Sequence, residues 1–100
     1  MTTTTTTTAS TASFESFESA ALAEGFDEVL VRDWQPGQLV PMHGHPFAVK
    51  ALVVRGELAL TAGGQTRHIG PGGTFALDRD EPHAEQYGPD GATYWAARRR

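Results

Sequence analysis

Glycine and proline interrupt this chain so often after residue 35 that short strands, not helices, are the elements it can build. Turn signals stand at Pro36-Gly37, Arg55-Gly56-Glu57, Ala62-Gly63-Gly64-Gln65, Gly70-Pro71-Gly72-Gly73, the polar corner Asp78-Arg79-Asp80-Glu81-Pro82, and Gly88-Pro89-Asp90-Gly91. Between them lie apolar, β-branched and aromatic runs: Val29–Val31, Leu39–Pro41, Ala48–Val54, Leu58–Thr61, Thr66–Ile69, Thr74–Leu77, His83–Tyr87 and Ala92–Ala97. Ala48–Val54 and Leu58–Thr61 read as a hairpin about Arg55-Gly56-Glu57. Many short strands with regular turn signals predict an all-β sandwich or barrel.

The N-terminal third differs. Phe14, Phe17, Ala20, Ala21 and Ala23 recur at helical spacing and Gly25 supplies a stop, so one short helix is expected. Residues 1–13, dominated by the run Thr2–Thr8, hold no large apolar side chain after Met1 and read as a disordered tail. The expected division is therefore a tail over 1–13, a helix and connector over 14–27, and a β domain over 28–100. Roughly 87 residues make a small core, for which a homodimer would bury additional apolar surface.

Composition narrows the chemistry. The chain has no cysteine, which excludes disulfides, a thiolate nucleophile and sulfur-ligated metal sites. It carries no basic-then-apolar leader and no apolar run long enough to span a bilayer, so a cytoplasmic protein without membrane contact is expected. A formal net charge of −4 argues against nucleic acid, and the only basic cluster, Arg98-Arg99-Arg100, reads as a solubilising tail.

His43-Gly44-His45 carries the strongest chemical signal. In an extended segment, alternate side chains share a face, so these two imidazoles can converge. His83, beyond Pro82, can join them if a later strand returns alongside. Three neutral imidazoles suit one divalent transition metal.

In these residues the chain resembles the cupin family of double-stranded β-helix (jelly-roll) barrels. The family's first motif runs Gly, five residues, His-x-His, three or four residues, Glu, six residues, Gly. Here Gly37, His43, His45 and Gly56 match, while Val49 stands where the family has its glutamate ligand. The second motif runs Gly, five residues, Pro-x-Gly, two residues, His, three residues, Asn. Gly72 and His83 match, whereas Asp78, Asp80 and Tyr87 replace the proline, glycine and asparagine.

The resemblance implies a cupin barrel with one short N-terminal helix and a metal held by His43, His45 and His83. Fe(II) is favoured, with Mn, Ni, Cu, Co or Zn as alternatives. Without the glutamate, the ligand set is uncharged and resembles the three-histidine members of the family, which include thiol dioxygenases. The leading expectation is an oxygenase acting on a small anionic or chelating substrate. The alternatives are a non-catalytic metal-dependent small-molecule sensor, and an isomerase or lyase.

Other residues take secondary roles. Glu85 and Tyr87 are the candidate catalytic residues, although Glu85 also reads as an edge charge. Phe47, Val49, Phe75 and Tyr94 are the candidate pocket residues. Lys50, next to Val49, is expected on the opposite face from it. His68 and Glu57 read as exposed, and Trp34 as a cover for one end of the barrel or a subunit contact. Asp78 and Asp80 read as turn residues that bond to local backbone.

Overall fold

The computed structural model describes residues 13–100. All of the expected Thr-rich tail except Ser13 lies outside the described residues. The described chain is mainly β with one N-terminal helix: α1 (Phe14–Ala23), β1 (Glu28–Trp34), β2 (Leu39–His43), β3 (Ala48–Ala62), β4 (Gln65–Ile69), β5 (Thr74–Leu77) and β6 (His83–Arg99).

Helix α1 forms where the Phe/Ala stripe predicts it. The Ser13 hydroxyl accepts from the Ser16 N–H at 3.0 Å, satisfying one of the open donors of the first turn. At the other end Gly25 takes a φ of +100°, and the Gly25 and Phe26 N–H groups donate to the Leu22 and Ala21 carbonyls at 3.1 Å each. Phe14 and Phe17 pack against Trp95, with ring centroids 5.6 and 5.9 Å apart. Trp95 lies on the face of β6 opposite its buried neighbours Tyr94 and Ala96, so α1 covers the outer side of the sheet. Lys50 reaches the same outer side and pairs with Glu24 at 2.8 Å. Both side chains are about half exposed, so this pair contributes only about 0–1 kcal/mol.

All strand pairings are antiparallel. The main path of the sheet is β1-β6-β3-β4, with β2 pairing β6 and β5 pairing β3. Two expected turns are not turns. Arg55-Gly56-Glu57 does not reverse the chain, and neither does Gly88-Pro89-Asp90-Gly91. Each instead bends a long continuous strand, and the two strands pair from Ala48↔Arg99 to Ala62↔His83. The register slips between Val53 and Arg55 and again between Gly56 and Leu58. These irregularities are bulges, which let a strand bend without ending.

The glycines make that bend possible. Gly56 and Gly91 both have positive φ, +72° and +70°. A Cβ on Gly56 would overlap the Gly91 carbonyl oxygen and come within 2.8 Å of the Ala92 Cα; one on Gly91 would overlap the Trp34 carbonyl oxygen. Backbone meets backbone at this point, so nothing can move aside.

The bulges also switch which residues face inward. Along β3 the buried residues are Ala51 and Val53 before the bend and Leu58 and Leu60 after it. Along β6 they are His83, Glu85 and Tyr87 before it and Ala92, Tyr94 and Ala96 after it. With Ile69, Phe75 and Leu77, all of these except the polar His83 and Glu85 make one continuous core.

Gly56→Ala is therefore expected to destabilise the protein by about 3 kcal/mol or more, since it combines backbone overlap with a disfavoured φ. Gly63→Ala shares the positive φ but meets nothing within 4 Å, and should cost only about 1–2 kcal/mol. Urea denaturation of both variants measures the difference.

Candidate metal centre and its pocket

The pairing of β2 with β6 brings the three histidines together. Val40 lies opposite Glu85, the register then slips, and His43 lies opposite His83. His43 is the last residue of β2, so His45 sits beyond the strand and strand alternation does not place it. A backbone contact does so instead. Gly44 is pressed against the polar corner, where a Cβ would stand 3.1 Å from the Asp80 carbonyl oxygen, and the Asp80 N–H donates to the His45 carbonyl at 2.7 Å. Asp80 has a φ of +62°, the only positive value at a non-glycine position among the described residues. It occupies the glycine position of the second motif, and aspartate is one of the few side chains that adopt this conformation readily.

The three imidazoles present potential ligand atoms within 4.8 Å of one another. His43 Nε2 and His45 Nε2 are 3.1 Å apart. Metal–nitrogen bonds of about 2.0–2.1 Å separate neighbouring ligand atoms by about 2.9 Å in octahedral and about 3.3 Å in tetrahedral geometry, so this spacing suits two ligands of one ion. Backbone carbonyls orient two of the rings. His43 Nδ1 lies 2.8 Å from the Pro41 oxygen and His83 Nδ1 lies 3.0 Å from the Glu81 oxygen, each acceptor two residues earlier in the chain. A carbonyl can only accept, so each Nδ1 carries the proton and each Nε2 keeps its lone pair for a metal. Burial, reinforced by the neighbouring His43, His83 and Arg98, lowers the pKa of His45 and favours its neutral, ligating form.

Glu85 is not an edge charge. It is 6% exposed, two residues beyond His83 on the same face, with one carboxylate oxygen 3.5 Å from His83 Nε2 and the other accepting from the Tyr87 hydroxyl. With the Nδ1 tautomer in place, an imidazole lone pair and a carboxylate oxygen face each other. A proton or a metal ion can sit between two such atoms. Tyr87 is 2% exposed; burial first, then Tyr94 and Glu85, raises its pKa far above the usual phenol value, so it stays a donor. Burial also raises the pKa of Tyr94, with Glu85 adding to the shift.

His45, His83 and Glu85 share the wall of a small cavity, about 60 Å³, with Phe47, Val49, Phe75 and Tyr94. The four expected pocket residues thus lie together around two of the histidines and the buried carboxylate. Val49 presents an apolar surface there, while Lys50 points away to Glu24. His68 and Glu57 are exposed.

The sequence reading missed Trp34, Arg32 and Arg98, which also line the cavity. Trp34 stacks on Tyr87, with centroids 4.9 Å apart and planes 12° from parallel, inside the fold instead of at its end. Arg98 is not part of a loose tail, because β6 continues to Arg99 and pairs Arg98 with both Glu28 and Val49. The signal for Arg32 was present in the alternation Leu30-x-Arg32-x-Trp34. That for Arg98 was hidden by the switch of face at Gly88–Gly91.

Asp80→Gly is expected to leave metal binding and stability within about 1 kcal/mol of the parent, whereas Asp80→Val should destabilise by about 1–2 kcal/mol by forcing a branched side chain into the left-handed region. Thermal denaturation and metal titration check both. His83→Ala is expected to lower affinity for a divalent transition metal at least about tenfold, by removing the one fully buried ligand. Calorimetric titration with Zn(II) or Co(II) measures it.

The family described as the AraC-like ligand binding domain matches residues 25–97. No curated protein matches the chain significantly. Similar solved structures include a protein of unknown function from Rhizobium leguminosarum bv. viciae, 20% identical with a TM-score of 0.67 over 71% of this chain and 67% of that one. The DMSP lyase DddQ from Ruegeria pomeroyi is 23% identical with a TM-score of 0.67 over 72% of this chain, but this chain spans only 37% of the lyase. The cupin domain of Cnp3 from Schizosaccharomyces pombe is 14% identical with a TM-score of 0.68 over 76% of this chain and 57% of that one. At these identities the likeness establishes a cupin-like fold and strand topology.

Proposed function

This chain belongs to the family of AraC-like ligand binding domains, and on that premise we propose that it binds a small molecule at a mononuclear transition-metal centre held by His43, His45 and His83. The observation that carries this reading is the convergence of three imidazoles, two of them with Nε2 freed by backbone acceptors, beside a small, partly open cavity. The β domain over 28–100 is read as a closed double-stranded β-helix, with the tail and helix as additions to it. A homodimer in the cytoplasm, without nucleic-acid or membrane partners, completes the proposal. Among the described residues, no helix is long and apolar enough to cross a membrane.

The catalytic version is an oxygenase with Fe(II) at this centre. Three protein ligands leave positions for a bidentate substrate and a further small molecule. A divalent ion bound there supplies Lewis acidity and, where it is iron, electrons for reaction with dioxygen. The chain's own residues do the rest. Phe47, Val49 and Phe75 exclude bulk water. Glu85 holds negative charge beside His83 and can accept a proton from a substrate; Tyr87, locked as a donor to it, fixes the carboxylate's orientation. An isomerase or lyase would use the same carboxylate as its base.

The family favours a second reading, a sensor that binds ligand without turnover. Anaerobically purified protein, loaded with Fe(II) and offered small thiol acids, diketones and flavonols, separates the two. Oxygen uptake that disappears in His43→Ala supports the oxygenase. Saturable ligand binding with no product under any metal supports the sensor, and failure to retain any transition metal removes both.

Val49→Glu restores the family's carboxylate at the cavity wall. The metal-free variant is expected to be less stable than the parent by about 1 kcal/mol, since the new carboxylate leaves water beside Glu85 and the Arg98 paired with position 49 offsets only part of that cost. Its affinity for Zn(II) or Fe(II) should rise at least about tenfold. Melting temperatures with and without metal test this reversal.

A further inference from the structure

Two guanidinium groups line the same cavity as His45, His83 and Glu85, and no family motif accounts for them. Arg32 lies on the inner face of β1, opposite Tyr94, with its guanidinium carbon 4.9 Å from the ring centroid of Trp34. No carboxylate among the described residues forms an ion pair with it. Arg98 lies on the inner face of β6, its guanidinium carbon 4.6 Å from the ring centroid of Phe47, which in turn stacks on His45 at 4.9 Å. Its one acidic neighbour, Glu28, stands 3.6 Å away, beyond hydrogen-bond distance and 42% exposed.

The charges around the cavity do not balance. Two arginines face one carboxylate, Glu85, which is already engaged by the Tyr87 hydroxyl. Counting these lining groups alone, the wall carries +1 with neutral histidines, and Glu28, ion-paired to Arg98 from outside the cavity, offsets part of it. A divalent ion on three uncharged ligands would raise it to +3. A guanidinium placed over an aromatic ring does not use its N–H donors on that contact, and its fork of N–H groups matches the two oxygens of a carboxylate.

We propose that the pocket selects a short-chain carboxylic acid, whose carboxylate is gripped by Arg32, with Arg98 adding to the positive field near His45. This names the ligand class of the site proposed above and rests on that reading for the placement of the other end of the molecule at the metal. The cavity's volume of about 60 Å³ accommodates an acid of a few non-hydrogen atoms, and its open side leaves room for the rest of a larger molecule.

The test compares acids with their neutral amides. Zn(II)-loaded protein is titrated with acetate, lactate and pyruvate and with acetamide, lactamide and pyruvamide, and metal content is measured for every sample. At least one acid should bind at least tenfold more tightly than its amide in the parent protein. In Arg32→Met that preference should fall to about twofold or less with metal content unchanged, and Arg32→Lys, which keeps the charge but loses the fork, should lie between. Arg98→Met should weaken acid binding by a smaller factor.

Should Arg32→Met not fold, the parent's acid-to-amide ratio and that of Arg32→Lys still decide the matter. No preference in the parent for any acid, or a preference unchanged in the Arg32 variants, overturns the proposal. Loss of the metal reading looks different: no zinc is retained, yet acids still raise the melting temperature of the parent more than of Arg32→Lys. In that case the acid site stands and the metal centre falls.

Discussion

Strands β3 and β6 are paired along almost their whole length and bend at the same place, and the positions of His83, Glu85, Tyr87, Tyr94 and Arg98 follow from that shared bend. Gly56 and Gly91 allow it because each lies where another backbone passes too close for a side chain. The bend switches the inward face of both strands. Without the switch, the half of β6 that carries His83, Glu85 and Tyr87 and the half that carries Tyr94, Ala96 and Arg98 could not face one core. A single geometric device therefore joins the metal-binding end of the strand to its arginine end.

The convergence of the histidines depends on a second level of support. The side chains of His43 and His83 are oriented by carbonyls in the same relation to each, two residues upstream. The repeated arrangement fixes the same tautomer in both rings and aims Nε2 at a common point. His45 is held differently, through its own carbonyl and the stacking of its ring on Phe47. The polar corner at Asp78–Pro82 therefore has two functions. It leads the chain into β6 just ahead of His83, and it anchors the loop that carries His45. Asp80 at a glycine position looks like a departure from the motif in the sequence, yet it preserves the backbone conformation the motif requires.

How much of this could be read from residues alone depended on whether the signal was local. The helix was legible because its stripe, cap and terminal glycine lie within a dozen residues. The three histidines were legible because their spacing matched a pattern whose geometry is already specified. The two long strands were not, since a glycine with positive φ looks the same in a tight turn as in a bulge, and only the partner strand decides which it is. Glu85 was underestimated for a related reason: a charged residue is usually exposed, and its burial follows from the Tyr87 hydroxyl and His83, both placed by the same strand. Arg98 was misplaced because three consecutive arginines at a chain end resemble a solubilising tail, whereas pairing with β1 and β3 draws the first of them inward.

The absence of glutamate at position 49 changes the electrostatics of the site more than its shape. Three imidazoles keep the metal's charge undiminished, and the wall adds two guanidinium groups to it. Glu85 offsets part of this, but it is committed to Tyr87 and stands beside one ligand only. In a partly buried cavity uncompensated like charge is costly, so a metal-loaded site would gain stability from an anion that enters with its own negative charge. In the glutamate-bearing pattern, part of the compensation is built into the chain. On the proposed reading, valine in that position passes the compensation to the ligand, and affinity for the ligand would be coupled to occupancy of the metal site. An anionic molecule would then bind more tightly when metal is present, and metal more tightly when the anion is present, by the same factor.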